Sequence, residues 1–83
     1  MRIRVLFFGI LRDVTGLRED SIDVPDGGHA ATVFEYYASR FPRLGEMSAS
    51  VVLAVNQKFC APSAPLCDGD ELAFLPPDRK SVV

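Results

Sequence analysis

The chain has 83 residues, 48% of them hydrophobic, and a formal net charge of −2. That length makes one domain and buries only about 60% of the unfolded surface or slightly more, so the core must be efficient. The charge argues against nucleic acid, which needs a basic face, and no apolar run reaches the roughly 18 residues of a membrane span.

The chain starts Met-Arg-Ile-Arg-Val-Leu-Phe-Phe, a basic start and an apolar run that stops at Gly9. No small-residue cleavage site follows, so the run reads as a first strand and the chain as cytoplasmic. Residues 2–8 alternate, with Ile3, Val5 and Phe7 on one face and Arg2, Arg4, Leu6 and Phe8 on the other. Residues 10–16 suggest a short helical turn stopped by Gly16. Residues 18–24 alternate again, with Ile22 and Val24 together, and Pro25-Asp26-Gly27-Gly28 makes a loop. The two strands are expected to pair antiparallel.

Thr32-Val33-Phe34-Glu35 fits a capping box, which predicts a helix over 32–41. Phe34, Tyr37, Ala38 and Phe41 form its expected buried stripe, and Pro42 is its expected stop. Residues 51–55 are apolar on both faces and suit a central strand. Asn56-Gln57 turns the chain, Lys58 and Phe59 start a short return strand, and 61–66, with Pro62 and Pro65, reads as loop. Cys60 and Cys67 match neither a zinc pattern nor a disulfide framework, and read as small, buried, reduced thiols. His29 is a lone histidine in an exposed Gly-Gly-His loop. No Ser/His/Asp set, P-loop or GxGxxG occurs, so nothing predicts a metal, a cofactor or a self-contained active site.

Asp68-Gly69-Asp70 supplies turn chemistry, Glu71–Leu75 reads as a strand with Leu72 and Phe74 inward, and Pro76-Pro77 ends it. The predicted organisation is a domain over 1–77 and a flexible tail over 78–83. The order strand, strand, helix, strand, short strand, strand predicts an α+β fold with a mixed sheet and one main helix on one face.

Three segments carry a resemblance: Val5-Leu6-Phe7-Phe8 followed by Arg12; Ala54-Val55-Asn56-Gln57; and Pro65-Leu66-Cys67-Asp68-Gly69-Asp70-Glu71-Leu72-Ala73-Phe74-Leu75-Pro76-Pro77. In order and spacing they resemble the small, sulfur-carrying subunits of molybdopterin synthase, over residues 3–77. The resemblance implies the ubiquitin-like β-grasp topology. It also implies a sulfur carrier in molybdenum cofactor biosynthesis, the non-catalytic, sulfur-donating subunit of a two-subunit sulfurtransferase. An ATP-dependent activating enzyme adenylates a terminal glycine carboxylate, and sulfur then displaces AMP to leave a thiocarboxylate. The large subunit receives the tail, and sulfur passes to cyclic pyranopterin monophosphate. Nothing in that cycle needs a metal or cofactor held by the small subunit.

Family members finish soon after the double proline with a small residue and Gly-Gly. Here Asp78, Arg79, Lys80, Ser81, Val82 and Val83 follow Pro77, and the pair Gly27-Gly28 is internal. Val83 carries a β-branched side chain where the family needs none, so an end at Val83 is expected not to be adenylated efficiently. An altered or processed end and a carrier that no longer donates sulfur both fit these residues. A non-conjugating β-grasp interaction module and a carrier for another thiolation pathway are the competing functions. Ser81-Val82-Val83 also fits a carboxylate-capture end. The expected partner interface is Phe8, Arg12, Phe59, Leu75, Pro76 and Pro77, with Phe8, Phe59 and Leu75 converging beside the tail exit.

Overall fold

Alternation along β1 (Arg2–Phe7) drives Ile3, Val5 and Phe7 into the core and leaves Arg2 and Arg4 exposed. The computed structural model describes residues 1–76. After β1 the chain makes a helical turn, α1 (Ile10–Thr15), whose C-cap Gly16 sits in the left-handed region at φ 73°. It returns as β2 (Glu19–Asp23), which pairs antiparallel to β1 with Ile3 opposite Ile22. The main helix α2 (Ala30–Arg40) and a short α3 (Pro42–Glu46) follow. Then come β3 (Val52–Val55), β4 (Lys58–Cys60) and β5 (Glu71–Leu75). The sheet order is β2-β1-β5-β3-β4, with β1 and β5 parallel and the other pairs antiparallel. This is the mixed sheet with helices expected of a β-grasp fold.

The middle strand is β5, not the 51–55 segment that reads as central in sequence. β3 lies between β5 and the short edge strand β4. Its two apolar faces arise because both faces of an interior strand meet side chains. The hairpin joining β3 to β4 is a two-residue loop with Asn56 and Gln57 both at positive φ, the geometry that matches strand twist. Asn56 also ties that hairpin to the start of β5. Its side-chain amide donates to Asp70 Oδ1 at 3.0 Å, and Asn56 Oδ1 accepts from the Glu71 N–H at 3.1 Å. Two of the segments that carry the sequence resemblance are thus hydrogen-bonded to each other.

Helix α2 begins two residues earlier than predicted, and its cap is different. His29 is the N-cap, and Thr32 Oγ1 accepts the His29 N–H at 3.2 Å from the third helical position. The Thr32/Glu35 box is not used as the start. The extra turn is supported from far away in sequence: the Ala30 and Ala31 N–H groups donate to the carbonyls of Ala64 and Pro62, at 3.0 and 2.8 Å. Pro42 ends α2 as expected but also opens α3. At a first helical position its missing N–H costs nothing.

The buried stripe of α2 is Ala30, Val33 and Tyr37, while Phe34, Ala38 and Phe41 are half-buried against it. Four aromatic rings meet edge to face beneath the sheet. Phe7 lies 5.2 Å from Tyr37 and 5.5 Å from Phe74, and Phe34 lies 5.4 Å from Phe74. The thiols depart from expectation: Cys60 is half-buried and Cys67 exposed, both free. Cys67 sits in the turn before β5, where its N–H donates to Asp70 Oδ2, so its side chain faces out.

Tyr37 carries the one polar tip in this cluster. Its hydroxyl donates to Asp20 Oδ2 at 2.8 Å, tying α2 to β2. Burial, with the Asp20 hydrogen bond adding to it, pushes the Tyr37 hydroxyl well above the ordinary tyrosine range. A folded-state value raised above the unfolded one gives stability present below pH ~10 and lost as pH rises beyond it. Tyr37→Phe is expected to cost about 1–2 kcal/mol at neutral pH, because Asp20 loses a donor. The variant should also flatten the alkaline loss of stability. Urea titrations at neutral pH and above pH ~10 check both signs.

A candidate docking face on the sheet

Cross-strand register decides what the outer face of the sheet presents. Leu6 stands opposite Ala73, Ala73 opposite Ala54, and Ala54 opposite Phe59. The next row, Phe7, Phe74 and Leu53, points the other way into the core. The outer row therefore has two alanines at its centre and large side chains at both ends. Alanine methyl groups make a low floor, so a shallow apolar groove forms, with Phe8, Leu75, Gln57 and Glu71 also at its walls.

Phe8 and Phe59 are the protruding walls, 42% and 79% exposed. Leu75 is half-buried between them. The three aromatic and aliphatic residues expected to converge do so. Pro76 lies at the same end. A Cβ on Gly9, the residue after Phe8, would come within 2.8 Å of Pro76 Cγ, and Gly9 itself has φ 57°. Only glycine permits both the backbone angle and that approach. The last residues of β5 are therefore seated beside Phe8.

Arg12 stands apart from the groove. It is exposed and shares a neighbouring hollow with Leu6, Phe8, Arg18 and Glu19. Phe8 and Leu6 are common to both hollows. Pro77 and residues 78–83 lie outside the described residues, and so do the expectations placed on them.

Sequence reading missed Leu6, Ala54 and Ala73 as groove residues. Their signal was present as period-two alternation beside Leu53, Leu72 and Phe74. Small apolar residues within an apolar strand read as core until the pairing register is known.

At the charged end of the groove one guanidinium faces two carboxylates. Arg4 Nε lies 2.7 Å from Glu19 Oε2, and Arg4 Nη1 lies 3.7 Å from Glu71 Oε2. The Arg4 hydrogen bond holds the Glu19 carboxyl below the usual carboxylate range. Among the described residues, no group of three His, Cys, Asp or Glu is placed to hold a metal ion. No helix among them is long and apolar enough to cross a membrane.

The sequence pattern of the ThiS family matches residues 5–77. The chain belongs to the ThiS family. It is 34% identical over 79 residues to the molybdopterin synthase sulfur carrier subunit of Chlamydomonas reinhardtii, covering 93% of this chain and 95% of that one. A Pyrococcus furiosus structure described as molybdopterin converting factor subunit 1 superposes with TM-score 0.83 at 26% identity, covering 93% of this chain and 98% of that one. The fold is also that of a chain in the Helicobacter pylori complex of molybdopterin-converting factor subunits 1 and 2. There the TM-score is 0.67 at 24% identity, over 94% of this chain and 96% of that one.

Proposed function

We propose that this chain is the sulfur carrier subunit of a molybdopterin synthase. The observation that carries the reading is the apolar groove beside the point where β5 passes into the residues after Pro76. A carrier must hand its tail to two enzymes in turn. That requires a docking surface next to the tail and a rigid strand behind it. β5 is hydrogen-bonded on both sides, so its end is fixed relative to Phe8, Phe59 and Leu75.

The cycle runs through the tail carboxylate. Attack of a carboxylate oxygen on the α-phosphorus of ATP gives an acyl-adenylate and releases pyrophosphate. Hydrosulfide-level sulfur then attacks the acyl carbon, the acyl–phosphate bond breaks, and a thiocarboxylate and AMP are left. The large subunit supplies the catalytic pocket, and this chain supplies the sulfur and the docking face. Phe8, Phe59 and Leu75 bury against the partner, and Pro76 stiffens the exit. The cytoplasm suits this role, since free thiols such as Cys60 and Cys67 stay reduced there.

Isothermal calorimetry with the cognate large subunit tests the docking face. Phe8→Lys forces a charge into an apolar contact and is expected to weaken binding about thirtyfold or more. Ala54→Leu raises the groove floor without removing any contact and is expected to do the same. Phe8 is exposed, so the midpoint of Phe8→Lys should barely move, whereas Ala54 is covered by its neighbours and the thermal midpoint of Ala54→Leu must be shown to be retained before its affinity is read. Unchanged affinity in both variants would remove this face from the interface.

A further inference from the structure

The hollow beside the groove carries a second signal. Arg12 and Arg18 both line it, the first from the last turn of α1 and the second from the link between α1 and β2. Their backbones are fixed: Gly9 O accepts the Arg12 N–H at 3.1 Å, Arg12 O accepts the Gly16 N–H at 2.7 Å, and Arg18 O accepts the Phe7 N–H at 3.0 Å. Glu19 lines the same hollow, but its carboxylate is engaged by Arg4 at 2.7 Å. Among the described residues, Arg12 and Arg18 form no ion pair, whereas Arg2 and Arg4 do. Two exposed arginines thus line one hollow, together with Leu6 and Phe8, which also wall the apolar groove.

We propose that this hollow receives a carboxylate from the docking partner, so that the partner segment carries an acidic side chain beside the bulky apolar one that fills the groove. The inference rests on the docking reading above and adds the partner's chemistry to it. A planar guanidinium fork fits a carboxylate with paired N–H donors. The neighbouring apolar contact excludes water, which lowers the local dielectric and strengthens the ion pair. The pair also fixes orientation. An apolar groove alone accepts a bulky side chain from several directions, and two cations on one flank select one of them.

The test measures association rates with the cognate large subunit as the probe, across a salt series. R12E/R18E is expected to slow association at least about tenfold at low ionic strength. The deficit should shrink as the screening length falls from about 30 Å at 0.01 M salt to about 3 Å at 1 M. R12Q/R18Q should give a smaller deficit of the same sign. Both side-chain pairs are exposed, so an unchanged thermal midpoint confirms that each variant is folded. Unchanged rates and salt dependence in R12E/R18E, with Ala54→Leu still blocking binding, would overturn the carboxylate contact and leave the groove intact. Failure of the unsubstituted chain to bind would overturn the docking reading and this inference together.

Discussion

Phe74→Ala is expected to lower the unfolding free energy by about 3–5 kcal/mol. Phe74 sits on the middle strand, is fully buried, and meets Phe7 and Phe34 edge to face. Its neighbours come from β1, β3 and α2, elements fixed by other contacts, so the cavity cannot collapse. A domain of this size holds only about 5–15 kcal/mol in total. The midpoint should therefore fall by roughly 12 °C or more. Phe34→Ala removes a ring of the same size from a half-buried site and should cost clearly less. Urea denaturation of both variants measures the difference. A loss below about 1 kcal/mol for Phe74→Ala would mean that β5 is not the centre of the core.

The strands were legible wherever one face is polar. Arg2, Arg4 and Asp23 alternate with apolar residues, and the period alone placed β1 and β2. Gly16 and Asn56-Gln57 were legible because each demands a special backbone angle. The first turn of α2 was not legible. Its donors are satisfied by Pro62 and Ala64, more than thirty residues on in sequence, which local pattern cannot see. α3 was hidden because Pro42 reads as a stop, although the same residue suits a helix start. The apolar groove was half legible. Phe8 and Leu75 follow from alternation, and Phe59 from its place after the turn. Ala54 and Ala73 became groove residues only once the register set them opposite each other. Arg18 carried no sequence signal at all, because the return of the chain from α1 into β2 is what brings it to the same hollow as Arg12.

Sulfur loading is the outcome with the largest contrast, since it is gained or absent. On the proposed function, the activating enzyme recognises this chain by the face around Phe8, Phe59 and Leu75, and that face lies wholly upstream of Pro77. Replacing the residues after Pro77 by a small-residue linker ending in Gly-Gly gives the activating enzyme an end without Cβ atoms. Such an end threads a narrow channel and allows close backbone approach. The rebuilt chain should accept sulfur, and adding Phe8→Lys to it should abolish loading while leaving the fold intact. A polypeptide ending at Val83 should load poorly by comparison, because a β-branched side chain crowds the reacting carboxylate.

Intact-mass spectrometry reads this directly, after incubation of the rebuilt chain with ATP, the cognate activating enzyme and a sulfur source. Exchange of one carboxylate oxygen for sulfur adds about 16 Da, and the account predicts that gain. No gain in the folded, rebuilt chain, in a mixture that loads an established sulfur carrier, would contradict the assignment of this protein as a sulfur carrier.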